Sequence, residues 1–213
     1  MNDSSSMKHP AGLTFGDSLE AVDPFAAFDA WMAEAKTGEP RDPDAMAIAT
    51  VDPDGMPNVR MVLLKEWGPD GFVFYTNRRS VKGRELDGQG KAAFVLYWKS
   101  LSRQVRARGP VSPVPPEQSD AYFASRPRGA QVGAWASQQS RPLASRDELK
   151  QAVAEMEKKF GNDPVPRPPH WIGFRLVPLY LEFWSEQPYR LHDRAVFTRP
   201  TPDAPWSRMR LYP

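Results

Sequence analysis

The chain has no cysteine, which excludes disulfides, thiolate catalysis and cysteine-ligated metals. Histidine is scarce: there are three, and none stands at metal-ligand spacing from His192, which argues against zinc or any other metal. Surplus charge is lacking too. Lys and Arg number 28 against 26 Asp and Glu, a net charge of +2. That balance excludes a general nucleic-acid coat and still allows local basic clusters that bind phosphate. No apolar run approaches the roughly 20 residues of a membrane span. Met1 to Pro10 is polar and has no apolar core of a signal peptide, so a cytoplasmic protein is expected. No Walker-type or dinucleotide glycine motif is present, and no Ser–His–Asp constellation stands out. A chain without its own nucleophile or metal needs a borrowed cofactor for redox chemistry.

Proline is plentiful, at 23 of 213 residues. It falls in clusters at Pro113, Pro115 and Pro116, at Pro164 to Pro169, and at Pro200 to Pro205, which read as rigid connections. The length suits one domain with a full core. Residues 1–20, rich in Ser, Gly and Asp, read as a mobile tail, leaving 21–213 as a single domain.

Asp23 and Pro24 open a helix with Phe25, Phe28 and Met32 on one face. Ala45–Val51, Val59–Lys65 and Phe72–Thr76 alternate with two Pro-Asp-Gly turns, a pattern for an antiparallel meander. A short helix is expected over Ser80–Leu86. Strands are expected over Ala92–Trp98 and Gln104–Val111, and a helix after Pro116. Ser145 and Glu148 form a capping box for a helix whose stripe is Leu149, Val153, Met156 and Phe160, read as core packing. Strands then return at Trp171–Val177, Tyr180–Trp184, Leu191–Thr198 and Met209–Leu211. The pattern predicts an α+β protein, mainly antiparallel β, built on a barrel with peripheral helices.

Three clusters suit phosphate. Lys82 stands at a helix start behind Arg78, Arg79 and Ser80, where N–H groups and cations attract anions. Ser125 to Ser140 is dense in Arg, amide and hydroxyl groups, and reads either as a phosphate clamp or as a polar loop anchored by a tryptophan. Arg190, His192 and Arg194 alternate, so one strand would show all three on a single face, ligand-lined or merely exposed. Arg60 and Lys65, five apart, point to opposite faces unless a bulge intervenes.

In order along residues 24–213, the chain resembles the pyridoxamine 5'-phosphate oxidase family. The matching pieces are Arg-Met-Val-Leu-Leu-Lys at 60–65, Phe-Tyr-Thr-Asn at 74–77, Arg-Gln-Val at 103–105 and Tyr-Phe-Ala-Ser-Arg-Pro-Arg at 122–128. Gln-Val-Gly-Ala-Trp-Ala-Ser-Gln-Gln-Ser at 131–140, Glu-Phe-Trp at 182–184, Arg-Leu-His-Asp-Arg at 190–194 and the terminal Arg-Leu-Tyr-Pro complete the set. The resemblance implies an FMN-binding split β-barrel homodimer with FMN between subunits. It assigns FMN contacts to Arg60, Met61, Val62, Leu63, Leu64, Lys65, Tyr75, Thr76, Lys82, Gln104, Gln139, Ser140, Trp184 and Arg194. Lys65, Tyr122 and Arg126 would hold the phosphate of a vitamin B6 substrate, with Arg190 and His192 over its ring as the catalytic pair. The implied reaction is oxidation of pyridoxamine or pyridoxine 5'-phosphate by dioxygen.

Three departures stand out. Val81 replaces an arginine and Ala130 a serine of the family pattern, and residues 1–20 show no match to the N-terminal Arg and Tyr of some members. Two other readings stay open: a related flavin oxidase of the phenazine-pathway type, and a non-catalytic FMN or pyridoxal-phosphate binder.

Overall fold

The computed structural model describes residues 14–213. Its strands are β1 (Ala45–Val51), β2 (Pro57–Gly68), β3 (Gly71–Asn77), β4 (Lys91–Trp98), β5 (Arg103–Pro113), β6 (Trp171–Leu176), β7 (Tyr180–Ser185), β8 (Asp193–Thr198) and β9 (Ser207–Arg210). The sheet order is β4-β1-β2-β3-β6-β5-β7-β8-β9, and β4 also pairs with β5. Six antiparallel strands therefore close a barrel, and β7, β8 and β9 extend it from β5. Strand β5 serves both parts by changing partner along its length. Arg103–Arg108 pair with β7, and Val111–Pro113 pair with β6. Gly109 sits at the changeover, where a Cβ would lie 1.9 Å from the Val177 carbonyl oxygen.

Period-two alternation puts Met46, Ile48 and Thr50 of β1 inside. Against them lies α1 (Pro24–Gly38), started by the Asp23 carboxylate, which accepts from the Phe25 and Ala26 amides. Its buried face is Phe28, Trp31, Met32 and Ala35. Phe28 meets Phe72 edge-on at 5.0 Å, and Trp31 meets Phe183 at 5.2 Å. Burying Phe28 contributes roughly 1.5–3 kcal/mol.

The remaining helices are α2 (Val81–Gln89), α3 (Pro116–Ser125), α4 (Arg128–Ala136) and α5 (Arg146–Phe160). α2 adds Leu86 to the main core, whereas α3, α4 and α5 share a second, smaller core of Phe123, Val132, Phe160, Val165 and Trp171. The α5 stripe packs here rather than in the main core, with Val153 and Met156 half-buried. The capping box forms as expected, the Ser145 hydroxyl accepting from the Glu148 amide.

Three expectations are corrected. The segment after Pro127 is not a loop but α4, because Gln131 turns inward to donate to the Phe123 and Ala124 carbonyls at the end of α3. Arg190 and His192 do not share a strand face with Arg194. Pro188 starts a tight turn, Tyr189 and Arg190 take left-handed φ of 58° and 62°, and β8 begins only at Asp193. Within residues 14–20 of the expected tail, Thr14, Phe15 and Leu19 are tied to the domain. The Thr14 amide donates to Asp193 at 2.8 Å, Phe15 meets Phe183 edge-on, and Leu19 is buried. The rest of that tail, residues 1–13, lies outside the described residues.

Candidate active site

A cleft of about 470 Å³ opens between β2, β3, the start of α2 and the α3–α4 pair. Small-molecule sites typically span a few hundred to about 1,000 Å³. Of the residues expected to bind FMN, the cleft gathers Met61, Val62, Leu63, Lys65, Tyr75, Thr76, Lys82 and Gln139. Of those expected to hold substrate phosphate, it adds Tyr122 and Arg126.

Lys82 is placed by the first turn of α2. The Ser80 hydroxyl donates to the Asn77 carbonyl and accepts from the Gly83 amide. Gly83 lets this turn pack onto the preceding loop, since a Cβ there would lie 2.3 Å from the Arg78 carbonyl oxygen. Lys82 is consequently buried, and its Nζ donates to Thr76 Oγ1 at 3.2 Å and Gln139 Oε1 at 3.0 Å. Among the described residues no carboxylate pairs with it. Burial, then the charge of Arg60, lowers its pKa from the usual lysine range.

Arg60 faces α2 instead of the cleft. Its guanidinium donates to Glu85 at 3.2 Å and Thr50 at 2.5 Å. Burial works against the Glu85 carboxylate, yet hydrogen bonds from Thr50 and Asn58 and the charge of Arg60 hold its pKa below the usual range. A β-bulge between Leu64 and Glu66 shifts the β2–β3 register. It brings Lys65 to the cleft, where Nζ meets Asp44 at 2.6 Å. The Leu64 side chain belongs to the core, at 1% exposure. Arg78, three residues before Val81, is committed to Asp87 at 2.7 Å.

One wall of the cleft is an aromatic stack. Tyr75 lies 4.2 Å from Tyr122 and 5.1 Å from Trp171, with interplanar angles of 20° and 8°. The Arg126 guanidinium covers the Trp171 ring at 4.9 Å. Among the described residues its Nη1 is buried with no hydrogen-bond partner, and burial lowers its pKa from the usual arginine value. An orphaned donor on a buried cation is costly unless a ligand satisfies it. Trp171 carries no local sequence signal for this role and was missed. Arg128 and Gln131, inside the predicted clamp, serve the fold instead: Arg128 donates to the Gly161 and Asp163 carbonyls.

The other expected residues lie outside the cleft. Gln104, Trp184 and Arg194 stand in register across β5, β7 and β8. Arg194 Nε donates to buried Glu182 at 2.8 Å, and Arg106 grips the same carboxylate with Nε and Nη2. His192 packs on Trp184 at 4.7 Å, and its Nδ1 accepts from the Gln187 amide, so the neutral ring carries its proton on Nε2. Arg190 is exposed on its left-handed turn, and Ser140, also with positive φ, is exposed past α4. Most of the expected site residues thus form two groups, one in the cleft and one along β5, β7 and β8 with the turn before β8, while Arg60, Leu64 and Ser140 belong to neither.

Residues 32–160 match the family described as pyridoxamine 5'-phosphate oxidase, and residues 171–213 match the pyridoxine 5'-phosphate oxidase C-terminal dimerisation region. The chain is 57% identical over 213 residues, all of both chains, to the pyridoxine/pyridoxamine 5'-phosphate oxidase of Nitrobacter hamburgensis. To the Brucella canis protein of the same name it is 57% identical over 197 residues, 92% of this chain and 97% of that one. Among solved structures, PhzG from Burkholderia lata 383, in complex with tetrahydrophenazine-1-carboxylic acid, superposes with a TM-score of 0.84. That pair is 31% identical over 90% of this chain and 93% of the other. A pyridoxamine 5'-phosphate oxidase-related, FMN binding protein from Nostoc punctiforme shares the fold, with a TM-score of 0.72 at 17% identity over 91% and 100% of the chains.

Proposed function

The chain belongs to the pyridoxamine 5'-phosphate oxidase family, and from that premise we propose that it oxidises pyridoxamine or pyridoxine 5'-phosphate to pyridoxal 5'-phosphate with FMN and dioxygen. The observation that carries this reading is a pair of cations in one cleft that lack an ion-pair partner: among the described residues Lys82 has no carboxylate within bonding distance, and Arg126 Nη1 has no hydrogen-bond partner. Two separate cations fit two phosphates, one on the cofactor and one on the substrate.

The residues present fit FMN. Lys82, Thr76 and Gln139 would hold its phosphate end, and Met61 to Leu63 would line the flavin. Bound there, FMN would supply two-electron redox chemistry, with dioxygen as the final acceptor and hydrogen peroxide as the by-product. Arg126, Tyr122 and Lys65 would fix the substrate phosphate at the other end of the cleft. The guanidinium plane of Arg126, held on Trp171, is pre-oriented for two parallel hydrogen bonds to an anion. Lys65 would exchange Asp44 for that phosphate. With the phosphate anchored, C4' is oriented rather than activated, and positioning supplies much of the rate. Arg190 would cover the pyridine ring as a planar cation, not as a base, because arginine hardly deprotonates. The amine substrate then loses ammonia to water.

Arg190, His192, Trp184 and Arg194 sit on the extension, within the matched dimerisation region, and do not line the cleft. A homodimer in which one subunit's extension closes its partner's cleft accounts for that separation.

Ala130 favours a second reading. It lines the cleft where the family pattern has serine, and PhzG, solved in complex with tetrahydrophenazine-1-carboxylic acid, shares the fold. Full-length identity of 57% to proteins named for B6 phosphates weighs against a tricyclic substrate. The test is purified, FMN-loaded protein given pyridoxamine 5'-phosphate, pyridoxine 5'-phosphate or tetrahydrophenazine-1-carboxylic acid, with peroxide and pyridoxal 5'-phosphate measured. Turnover of the B6 phosphates alone is expected. Turnover of only the tricycle overturns the reading.

A further inference from the structure

Glu66 lies just past the β2 bulge, exposed, next to Lys65, and nothing in the family pattern above assigns it a part. Its carboxylate joins two elements. Oε1 accepts from the Tyr75 hydroxyl on β3 at 2.6 Å, and Oε2 accepts from Gln118 Nε2 on α3 at 2.6 Å. Both bonds are short and charge-assisted. The Gln118 amide cannot flip without loss, because Arg175 donates to its Oε1 at 3.3 Å.

Each partner leads to the substrate end of the cleft. Gln118 and Tyr122 are four residues apart on α3, hence on one helix face. Tyr122 stacks on the Tyr75 ring, and α3 ends at Ser125, directly before Arg126. Tyr75 lies flat on Trp171, the ring that carries the Arg126 guanidinium. Burial and the bond to Glu66 raise the Tyr75 pKa above the usual tyrosine value, so the hydroxyl stays a donor at all working pH.

We propose that Glu66 is a positioning residue for phosphate recognition, clamping α3 to the barrel so that Tyr122 and Arg126 are set for the anion. This rests on the reading of that end of the cleft as the substrate phosphate seat. Glu66 touches neither substrate nor cofactor, so its effect falls on binding and not on the chemical step.

The experiment compares wild type with Glu66→Ala and Glu66→Gln as FMN-loaded holoenzymes. KM and kcat are measured for pyridoxamine 5'-phosphate, and Kd for pyridoxal 5'-phosphate by tryptophan fluorescence. For Glu66→Ala, KM and Kd should each rise about three- to tenfold, the loss of one charge-assisted bond, with kcat within about twofold. Glu66→Gln should fall between, since its amide serves the Tyr75 hydroxyl but opposes Gln118 Nε2. In a Gln118→Leu background the effect of Glu66→Ala should shrink, as the clamp is already open. Unchanged KM and Kd, or a fall in kcat with unchanged KM, overturns the proposal. If wild type binds pyridoxal 5'-phosphate but does not turn over, the proposed function fails, and the Kd comparison still decides the role of Glu66. If wild type binds neither, both fail.

Discussion

Lys82 Nζ lies 3.0 Å from Gln139 Oε1, a single contact that ties the first turn of α2 to the segment after α4. It joins two walls of the cleft through a buried cation that forms no direct ion pair among the described residues, although the charge of Glu85 acts on it from a distance. A group held in that way is poised for an anion.

Replacing Lys82 with methionine should weaken FMN binding roughly ten- to hundredfold, the range for a hydrogen bond to a charged group. The apo-protein should lose little stability, since a desolvated cation goes with it. Flavin fluorescence titration and thermal melting of the apo-protein check both. A lower Tm with unchanged FMN affinity would mark Lys82 as structural only.

Ala130, four residues after Arg126 and in the first turn of α4, lines the cleft. Ala130→Ser adds a hydroxyl at the substrate end, and KM for pyridoxamine 5'-phosphate should drop about two- to tenfold. Steady-state kinetics decide the point. A KM that stays put would show the phosphate to be seated elsewhere.

Arg190→Ala should cut turnover by roughly a hundredfold through lost positioning, while FMN occupancy stays near normal. Arg190 is exposed and off the cleft, so neither the core nor the Lys82 network changes. Co-purified flavin, read by absorbance, separates the two effects, and loss of flavin would contradict the assignment.

Glu182 sets an acid limit. Burial opposes its charge, but hydrogen bonds from Arg194, Tyr180 and Arg106 outweigh it and hold its pKa below 4.5. A folded-state pKa below the unfolded one means that stability is fully present above the unfolded value. It is lost as pH falls through the folded value. Urea midpoints should therefore drop as pH goes below about 4.5, the ordinary carboxylate value. In Glu182→Gln that drop should be shallower and the midpoint at pH 7 lower, because Arg106 and Arg194 lose their anion.

Much of the fold was legible in the residues. Asp23 and Pro24 mark the start of α1, Ser145 with Glu148 marks α5, and Pro-Asp-Gly turns separate β1, β2 and β3. These signals are local: a cap or turn acts over a few residues, so a linear reading captures them. The inner face of β1 was not marked this way: Ala45–Val51 is apolar but for Thr50, and only the folded barrel selects Met46, Ile48 and Thr50 for its interior.

The site was legible in composition and not in arrangement. Lys82, Tyr122 and Arg126 could be named from the ordered motifs, whereas Trp171 beneath them could not, since nothing around it differs from a core tryptophan. The strand expected to show Arg190, His192 and Arg194 together failed because a proline and two left-handed residues outweigh period-two alternation. By itself the sequence determined which side chains carry charge, where many elements begin, and that no cysteine is available to the chemistry. Only the tertiary structure decided which cations stay unpaired. Arg60 found Glu85 and Arg78 found Asp87, while Lys82 and Arg126 were left facing the cleft. Ion pairing is a contact between residues distant in sequence, and burial, which gives it weight, exists only once the barrel has closed.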